Sequence, residues 1–322
     1  MNALRIMLAA AMLALALPAW SQVPARIAWI WPGSVENSVA YLAAFKQGMR
    51  ENGLSEGRDF VIDQRFAEGK YERFPALVDD VLKHDPAVIL VVTIASVQAA
   101  QKATHAVPIV FVSTNDPVGS GLIASLAKPG GNTTGLSNQN EDLVPKYLEL
   151  LRETLPRAAR IAVFSNPDNP SNDKMFERVR LSASGFGITA RKFEAASPEA
   201  LDAAFAKIAE YRPDALLVIP DSVFFDQRKR IAAYALQARL PTFSHQSEMV
   251  AAGNLMSYGT QRRELYRRAA TYVRKILAGA KPAELPVEQP MKFELSINLS
   301  TARALGLTIP QAVLLRVDEV IE

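Results

Sequence analysis

The chain has 322 residues, of which 49% are hydrophobic and 21% charged, with a formal net charge of +3 and no cysteine. A chain without cysteine has no disulfide staples, so its stability must come from a buried core, which this length can supply. Basic and acidic residues are interspersed without a long Lys/Arg block, which excludes the electrostatic footprint of a nucleic-acid-binding protein.

The N-terminal segment has the pattern of a secretory signal peptide. Arg5 precedes an apolar stretch from Ile6 to Leu17, and the small residues Ala19 and Ser21 follow. A membrane anchor needs about 20 apolar residues, so this stretch is too short. We predict a signal peptide over residues 1–21. Because a lipid-modified cysteine is excluded, the expected mature protein is free in the periplasm, neither a lipoprotein nor inserted in the membrane.

From residue 26 onward, short apolar β-branched runs alternate with amphipathic patterns, which predicts βαβ units around parallel sheets. Leu42, Phe45 and Met49 fall on one face of the first such helix, and the pattern repeats in the second half of the chain. The predicted strands are 26–31, 60–66, 87–92, 108–112, 160–165, 188–193, 215–220 and 240–244. The predicted helices include 71–84, 95–104 and 261–278.

This repeat predicts an α/β protein of two Rossmann-like lobes, each a parallel sheet flanked by helices. Pro129, Gly130 and Gly131 break regular structure in the join between them. The C-terminal segments have too few elements for a third core, so they are expected to cross back, giving a three-segment hinge. The predicted division is 22–136 with 251–286 for the first lobe and 137–250 with 287–322 for the second, with a ligand cleft between them.

Small polar residues follow the predicted strands, where open α/β sheets bind ligands. Five of these clusters, at 93–96, 113–117, 165–172, 220–222 and 244–248, contain no Lys or Arg, which argues against nucleotides and sugar phosphates. The helix start after Thr93 suits a single carboxylate, and Asp116 and Asp221 offer partners for an ammonium group. These features favour a zwitterion such as an amino acid, with a neutral polar ligand left open.

Two tryptophans lie near the first of these clusters. Trp29 and Trp31 are two residues apart on one strand and therefore share a face, with Trp31 nearer its end. Trp31 is either a stacking platform for an aromatic ligand or a packing residue. Phe224 and Phe225 have the same two interpretations.

Enzyme motifs are weak. The stretch 119–124 fits a Gly-x-Gly-x-x-Ala dinucleotide pattern, but polar residues separate it from the preceding strand. His245 and Glu248 lack further metal ligands nearby, and there is no Gly-x-Ser-x-Gly elbow. Asp116 and Asp221 resemble the paired carboxylates of glycosidases without a series of sugar-stacking aromatics, and a hydrolase remains a third alternative. No catalytic residue, metal or cofactor is expected.

Several stretches together resemble ABC transporter substrate-binding proteins of the tryptophan/tyrosine-binding type: "PIVFVSTNDPVGSGLIASLAKPGGNTTGLS", "RIAVFSNPDNPSN", "VIPDS", "GNLMSYG" and "PMKFELSINLSTARALGLTIP". The resemblance extends from about residue 26 to residue 322. It implies a type I periplasmic-binding-protein fold with three crossovers, ligand capture by hinge closure, partnership with a membrane permease and an ATPase, and no catalysis by this chain.

The resemblance also places individual residues in the cleft, and Asp116 is predicted to bind the amine of the ligand. Trp31 departs from the family pattern, in which a smaller residue lies near the cleft. The full set of predicted ligand-binding residues is Trp31, Ser34, Thr93, Ala95, Ser96, Ser113, Asn115, Asp116, Ser137, Asn166, Asp221 and Phe224. An alternative function with the same fold is a periplasmic sensor module that presents its closed shape to a signalling receptor.

Overall fold

A computed structural model describes residues 23–322. The predicted signal peptide over residues 1–21 lies outside the described residues. The described chain forms two sheets flanked by helices, which confirms the predicted two-lobed α/β fold. Among these residues no helix combines the length and apolar character needed to cross a membrane.

The strands and helices alternate along most of the chain, as the sequence pattern predicts. The strands are β1 (Ala25–Trp31), β2 (Phe60–Phe66), β3 (Val88–Val91), β4 (Ile109–Thr114), β5 (Thr133–Ser137), β6 (Arg160–Ser165), β7 (Thr189–Glu194), β8 (Ala215–Val218), β9 (Thr242–Ser244), β10 (Met256–Thr260), β11 (Phe293–Asn298) and β12 (Glu319–Ile321). The α-helices are Val35–Glu51, Phe74–Leu82, Ile94–Ala103, Val144–Thr154, Pro170–Gly185, Ala200–Tyr211, Ser222–Asp226, Arg228–Gln237, Ser247–Ala251, Arg262–Leu277, Leu299–Leu305 and Gln311–Leu314.

The first sheet has the order β2-β1-β3-β4-β5, and all of its strands are parallel. Its central strands β3 and β4 are buried along their whole length. Continuous apolar strands of this kind need helices on both faces of the sheet. Because the carboxyl ends of parallel strands share one edge, the polar residues that follow β1, β3 and β4 meet there.

The second sheet has the order β12-β11-β10-β9-β8-β6-β7, with an antiparallel pairing only between β10 and β11. Its parallel part, from β10 to β7, again collects its carboxyl ends along one edge. The two edges face each other across the cleft, as shown by the hydrogen bonds between the lobes described below.

One part of the predicted division into lobes is wrong. The range 251–286 was assigned to the first lobe, but β10 within it belongs to the second sheet, where Met256 is paired with Phe243 and Ile297. All three side chains are buried in the core of the second lobe, which fixes the strand there. The following helix Arg262–Leu277 does return to the first lobe, so the chain crosses between lobes directly after β10. The other boundaries remain a proposal.

The returning helix is held by aromatic packing. Tyr266 lies in a cluster with Trp29, Trp31 and Tyr41, with ring centroids 5.1–5.8 Å from its own. All four side chains are buried. This cluster joins β1, the helix Val35–Glu51 and the helix Arg262–Leu277, and therefore fixes where the latter helix begins.

The contact between these two helices depends on a glycine. A Cβ atom on Gly48 would lie 2.1 Å from the carbonyl oxygen of Arg267 and 2.8 Å from Ala270 Cβ. Close approach of two helix backbones therefore requires the absence of a side chain at this position.

We expect Gly48→Ala to lower the free energy of unfolding by roughly 2–3 kcal/mol, because overpacking forces the helices apart. Gly185→Ala is the matched control, since no atom lies within 4 Å of its added Cβ, and it should be neutral or stabilise by up to about 1 kcal/mol. Thermal and urea unfolding check both variants. Equal midpoints for the two variants would contradict the close contact.

Candidate functional site

A cavity of about 90 Å³ lies between the lobes, lined by residues from the carboxyl ends of strands in both sheets. A single buried water needs about 10–15 Å³, so the cavity has room for several waters or for a larger molecule. The start of the helix Ile94–Ala103 reaches it through Thr93 and Ile94, and the second lobe contributes the loops that follow β6, β8 and β9. The cavity is therefore built from both lobes.

Five of the predicted ligand-binding residues line this cavity: Trp31, Thr93, Ser113, Asn115 and Asp221. The first four come from the first lobe and follow or end β1, β3 and β4, while Asp221 follows β8. These positions follow the rule that places ligand sites beyond the carboxyl ends of strands, and a role in ligand binding stays a prediction.

The other predicted residues lie outside the cavity. Ser96 is buried and closes a capping box with Thr93, in which Ser96 N donates to Thr93 Oγ1 at 3.2 Å. Phe224 stacks on Phe164 in the core, with ring centroids 5.3 Å apart. The residues that do not line the cavity are Ser34, Ala95, Ser96, Asp116, Ser137, Asn166 and Phe224. Of these, Ser34 and Asn166 hold carboxylates that do line it.

Asp116 was the predicted partner of a ligand amine, and the structure places it elsewhere. Its side chain is 37% exposed and its Oδ1 accepts from Gly119 N at 2.8 Å, within its own turn. Lys174 Nζ from the second lobe lies 3.9 Å from its Oδ2. Asp116 borders a separate polar chamber together with Ser137.

Asp221 is a buried carboxylate surrounded by donors. Its oxygens accept from Val223 N at 2.8 Å, Asn169 Nδ2 at 2.9 Å, Asn166 Nδ2 at 3.1 Å and Tyr71 Oη at 3.0 Å. Burial raises the pKa of Asp221, and the hydrogen bonds from Asn169 and Asn166 oppose this rise. Since Tyr71 belongs to the first lobe, this carboxylate also connects the two lobes.

Asp226 forms a second connection. Its Oδ2 accepts from Ser34 N at 2.8 Å and its Oδ1 from Asn37 Nδ2 at 2.7 Å, both from the first lobe. Burial raises the pKa of Asp226, and the hydrogen bond from Ser34 N opposes the rise. A Cβ atom on Gly33 would lie 2.8 Å from Asp226 Oδ1, so a side chain there would force this carboxylate to shift.

Arg262 is a cation in the cavity wall. It is the first residue of the helix Arg262–Leu277, and its Cζ lies 4.7 Å from the ring centroid of Tyr41, 5.8 Å from that of Phe225 and 6.0 Å from that of Trp31. Cations are attracted to aromatic faces at such distances. When the Gln246 amide is oriented to satisfy both of its polar atoms, its oxygen accepts from Arg262 Nε at 3.0 Å.

In the same orientation, the Gln246 nitrogen donates to His245 Nε2 at 3.1 Å. Burial, with the charge of Arg262 adding to it, lowers the pKa of His245 to about 3. His245 is therefore neutral at physiological pH, and the carboxyl and guanidinium groups of the cavity wall are those of Asp221, Asp226 and Arg262.

Several buried polar atoms around the cavity have no hydrogen-bond partner within residues 23–322. They include Trp31 Nε1, Asn115 Oδ1, Asn140 Oδ1 and Ser222 Oγ, and all four residues line the cavity. Buried polar atoms are nearly always paired in folded proteins, so a group of orphans around one cavity indicates a site for a polar ligand.

Sequence reasoning did not name Tyr71, Asp226 or Arg262. Asn169, His245 and Gln246 lie within polar clusters that follow predicted strands, and of these only His245 was considered individually, as a metal ligand. Asn138 and Asn140 follow β5, which was not among the predicted strands. Arg262 comes shortly after the end of β10. Assignment of β10 to the second sheet would have placed Arg262 beyond a strand end of that sheet, where ligand sites are expected.

Two α/β lobes with a polar cavity between their facing strand ends define a binding protein that encloses a small solute. Residues 35–321 match the family described as ABC transporter substrate binding protein. The chain therefore belongs to the ABC transporter substrate-binding proteins, and its fold is that of the type I periplasmic binding proteins.

Three relatives illustrate the similarity. A tyrosine-binding protein of Clostridioides difficile is 24% identical over 82% of this chain and 75% of its own length. The crystal structure of a conserved domain protein from Vibrio cholerae is 29% identical, with a TM-score of 0.87 over 92% of this chain and all of the other. The structure of an ABC domain in complex with L-Trp from Streptococcus pneumonia is 23% identical, with a TM-score of 0.84 over the same shares.

We expect the stability of the protein to fall as the pH drops from about 6.5 towards about 3, in part through His245. In that window the unfolded histidine binds a proton that the folded one excludes, so stability rises with pH. His245→Asn should remove roughly 2 kcal/mol of the difference between about pH 7 and about pH 4.5. Urea unfolding at both values measures it, with the exposed His105 changed to Asn as the control. An unchanged pH dependence in His245→Asn would show that His245 is accessible to protons.

Proposed function

We propose that this chain is the solute-binding component of an ABC importer, that it captures an amino acid by closure of its two lobes, and that it does not transform this ligand. The observation that carries the proposal is the cavity, in which charges of both signs, aromatic rings and unpaired polar atoms surround one space between the lobes. Binding in such a space stabilises the closed arrangement through contacts with both lobes.

The mixed charge of the wall favours a zwitterion. Asp221 and Asp226 are acidic, Arg262 is basic, and the N-terminus of the helix Ile94–Ala103 adds a positive partial charge. A polyanion would meet two carboxylates, whereas an amino acid can place its ammonium and carboxylate groups near opposite charges.

Asp226 is the better partner for the ligand ammonium. The oxygens of Asp221 already accept from four donors, which fills the roughly four acceptor positions of a carboxylate. Asp226 accepts from Ser34 N and Asn37 Nδ2 and so has acceptor capacity left for a ligand. We therefore assign to Asp226 the role that the sequence suggested for Asp116.

Aromatic walls make an aromatic amino acid the preferred candidate. Trp31 and Phe225 both line the cavity. The names of two relatives point the same way, since one is a tyrosine-binding protein and another was crystallised with L-Trp. Proteins that serve ABC importers deliver their ligand to a membrane permease driven by an ATPase, and we propose a periplasmic location for this chain.

We expect Asp226→Asn to weaken the binding of L-tryptophan or L-tyrosine at least about tenfold, because a charge-assisted hydrogen bond to the ammonium is lost. Asp116→Asn is the isosteric control and should bind as the wild type does. Isothermal titration calorimetry on protein unfolded and refolded to remove carried ligand measures both. A desamino analogue, indole-3-propionate, should lose less affinity than the amino acid does in Asp226→Asn, because it has no ammonium group and shares only the loss of a hydrogen bond between the lobes.

Loss of binding in Asp116→Asn with full binding in Asp226→Asn would reverse this assignment. If neither amino acid binds the refolded wild type and other solutes do, the amino-acid class is wrong. A thermal-shift survey makes this visible, since a ligand at a hundred times its dissociation constant adds about 2.7 kcal/mol.

A further inference from the structure

Arg262 has no carboxylate partner among residues 23–322. No Asp or Glu oxygen lies within 4.0 Å of its guanidinium, although its exposed neighbour Arg263 lies 3.6 Å from Glu248. Arg262 is half-buried between aromatic rings and lines the cavity. A guanidinium removed from water is normally paired with an anion, because desolvation of a lone charge costs several kcal/mol.

None of the groups in direct contact with Arg262 is a carboxylate, and the charge of Glu248 acts on it only from beyond Tyr41. The nearby Tyr41 hydroxyl lies 3.5 Å from Arg262 Nη1, and it donates its own proton to Glu248 Oε1 at 3.1 Å. Gln246 offers a neutral amide oxygen, and His245 is uncharged. Cation–π contacts offset part of the desolvation cost but supply no counter-charge. The open direction for an anion is the cavity.

The position of Arg262 in the chain adds a second observation. It follows the crossover from β10 of the second sheet into the helix that packs on the first lobe. Its side chain contacts Tyr41 of the first lobe and both Phe225 and Gln246 of the second. A group bound to this guanidinium therefore acts at a hinge segment and touches both lobes.

We propose that Arg262 is the specificity-determining residue that receives the carboxylate of the ligand, and that this ion pair couples ligand binding to lobe closure. The inference rests on the proposed function, and it replaces the helix start at Thr93 as the carboxylate site. In that helix Thr93 Oγ1 already accepts from Ser96 N and Thr93 N donates to Ser96 Oγ, so the cap satisfies part of its own terminus. Arg262 offers a planar pair of donors that matches a carboxylate.

The test compares an acid with its amide. We expect wild-type protein to bind L-tryptophan at least tenfold more tightly than L-tryptophanamide by isothermal titration calorimetry. In Arg262→Gln this ratio should fall close to one, through weaker binding of the acid and unchanged binding of the amide. Arg263→Gln is the matched control, since Arg263 is 65% exposed and should leave the ratio as it is in the wild type.

A second measurement separates ligand recognition from a structural role. Arg262→Met keeps the length of the side chain and removes the charge. Because an unpaired buried charge is unfavourable, the thermal midpoint of the ligand-free variant should equal or exceed that of the wild type. Equal weakening of acid and amide in Arg262→Gln, accompanied by a lower midpoint in Arg262→Met, would show that Arg262 only supports the fold, and would overturn the assignment.

Different results contradict the role of Arg262 and the amino-acid-binding function. If the wild type prefers the acid and Arg262→Gln keeps that preference, the role of Arg262 is wrong and the amino-acid function stands. If the wild type binds neither compound nor any other amino acid, the proposed function is wrong and the role of Arg262 falls with it.

Discussion

The two lobes meet through carboxylates of the second lobe that accept hydrogen bonds from the first. Asp221 accepts from Tyr71, and Asp226 accepts from Ser34 and Asn37. Burial of each carboxylate is unfavourable unless donors surround it, and some of these donors arrive only when the lobes approach. Formation of the cavity and pairing of these carboxylates are therefore one event, which links the chemistry of the site to the position of the lobes.

The hydrogen bonds between the lobes reduce the free energy that a ligand has to contribute to hold the lobes together. Direct hydrogen bonds between the lobes already contribute to the closed arrangement, so a ligand shifts the equilibrium only by its additional contacts with that arrangement. The unpaired atoms of Asn115, Asn140 and Ser222 are available for such contacts. A ligand that pairs them removes the desolvation penalty of buried polar groups, whereas one of the wrong shape leaves it in place.

Local sequence patterns predicted the fold, and five of the 21 residues that line the cavity were among the predicted ligand-binding residues. Buried strands are continuous apolar runs, and residues such as Thr93 and Asp221 follow them directly, so short-range patterns were sufficient. The pairing of β10 depends on contacts with β9 and β11, which no local pattern contains. The partnership of Ser34 with Asp226 joins residues 192 positions apart, and only the folded chain brings them together.

The sequence left Trp31 as either a ligand platform or a packing residue, and the structure shows the packing, while contact with a ligand stays a prediction. Its ring stacks on Tyr41 with centroids 5.2 Å apart, yet it also lines the cavity. The same two aromatic rings face the guanidinium of Arg262. Packing in this cluster therefore sets where the helix Arg262–Leu277 begins and how the guanidinium of Arg262 is oriented. A smaller residue in place of Trp31 would leave that cation less well positioned, so we propose that Trp31 acts on ligand binding through Arg262.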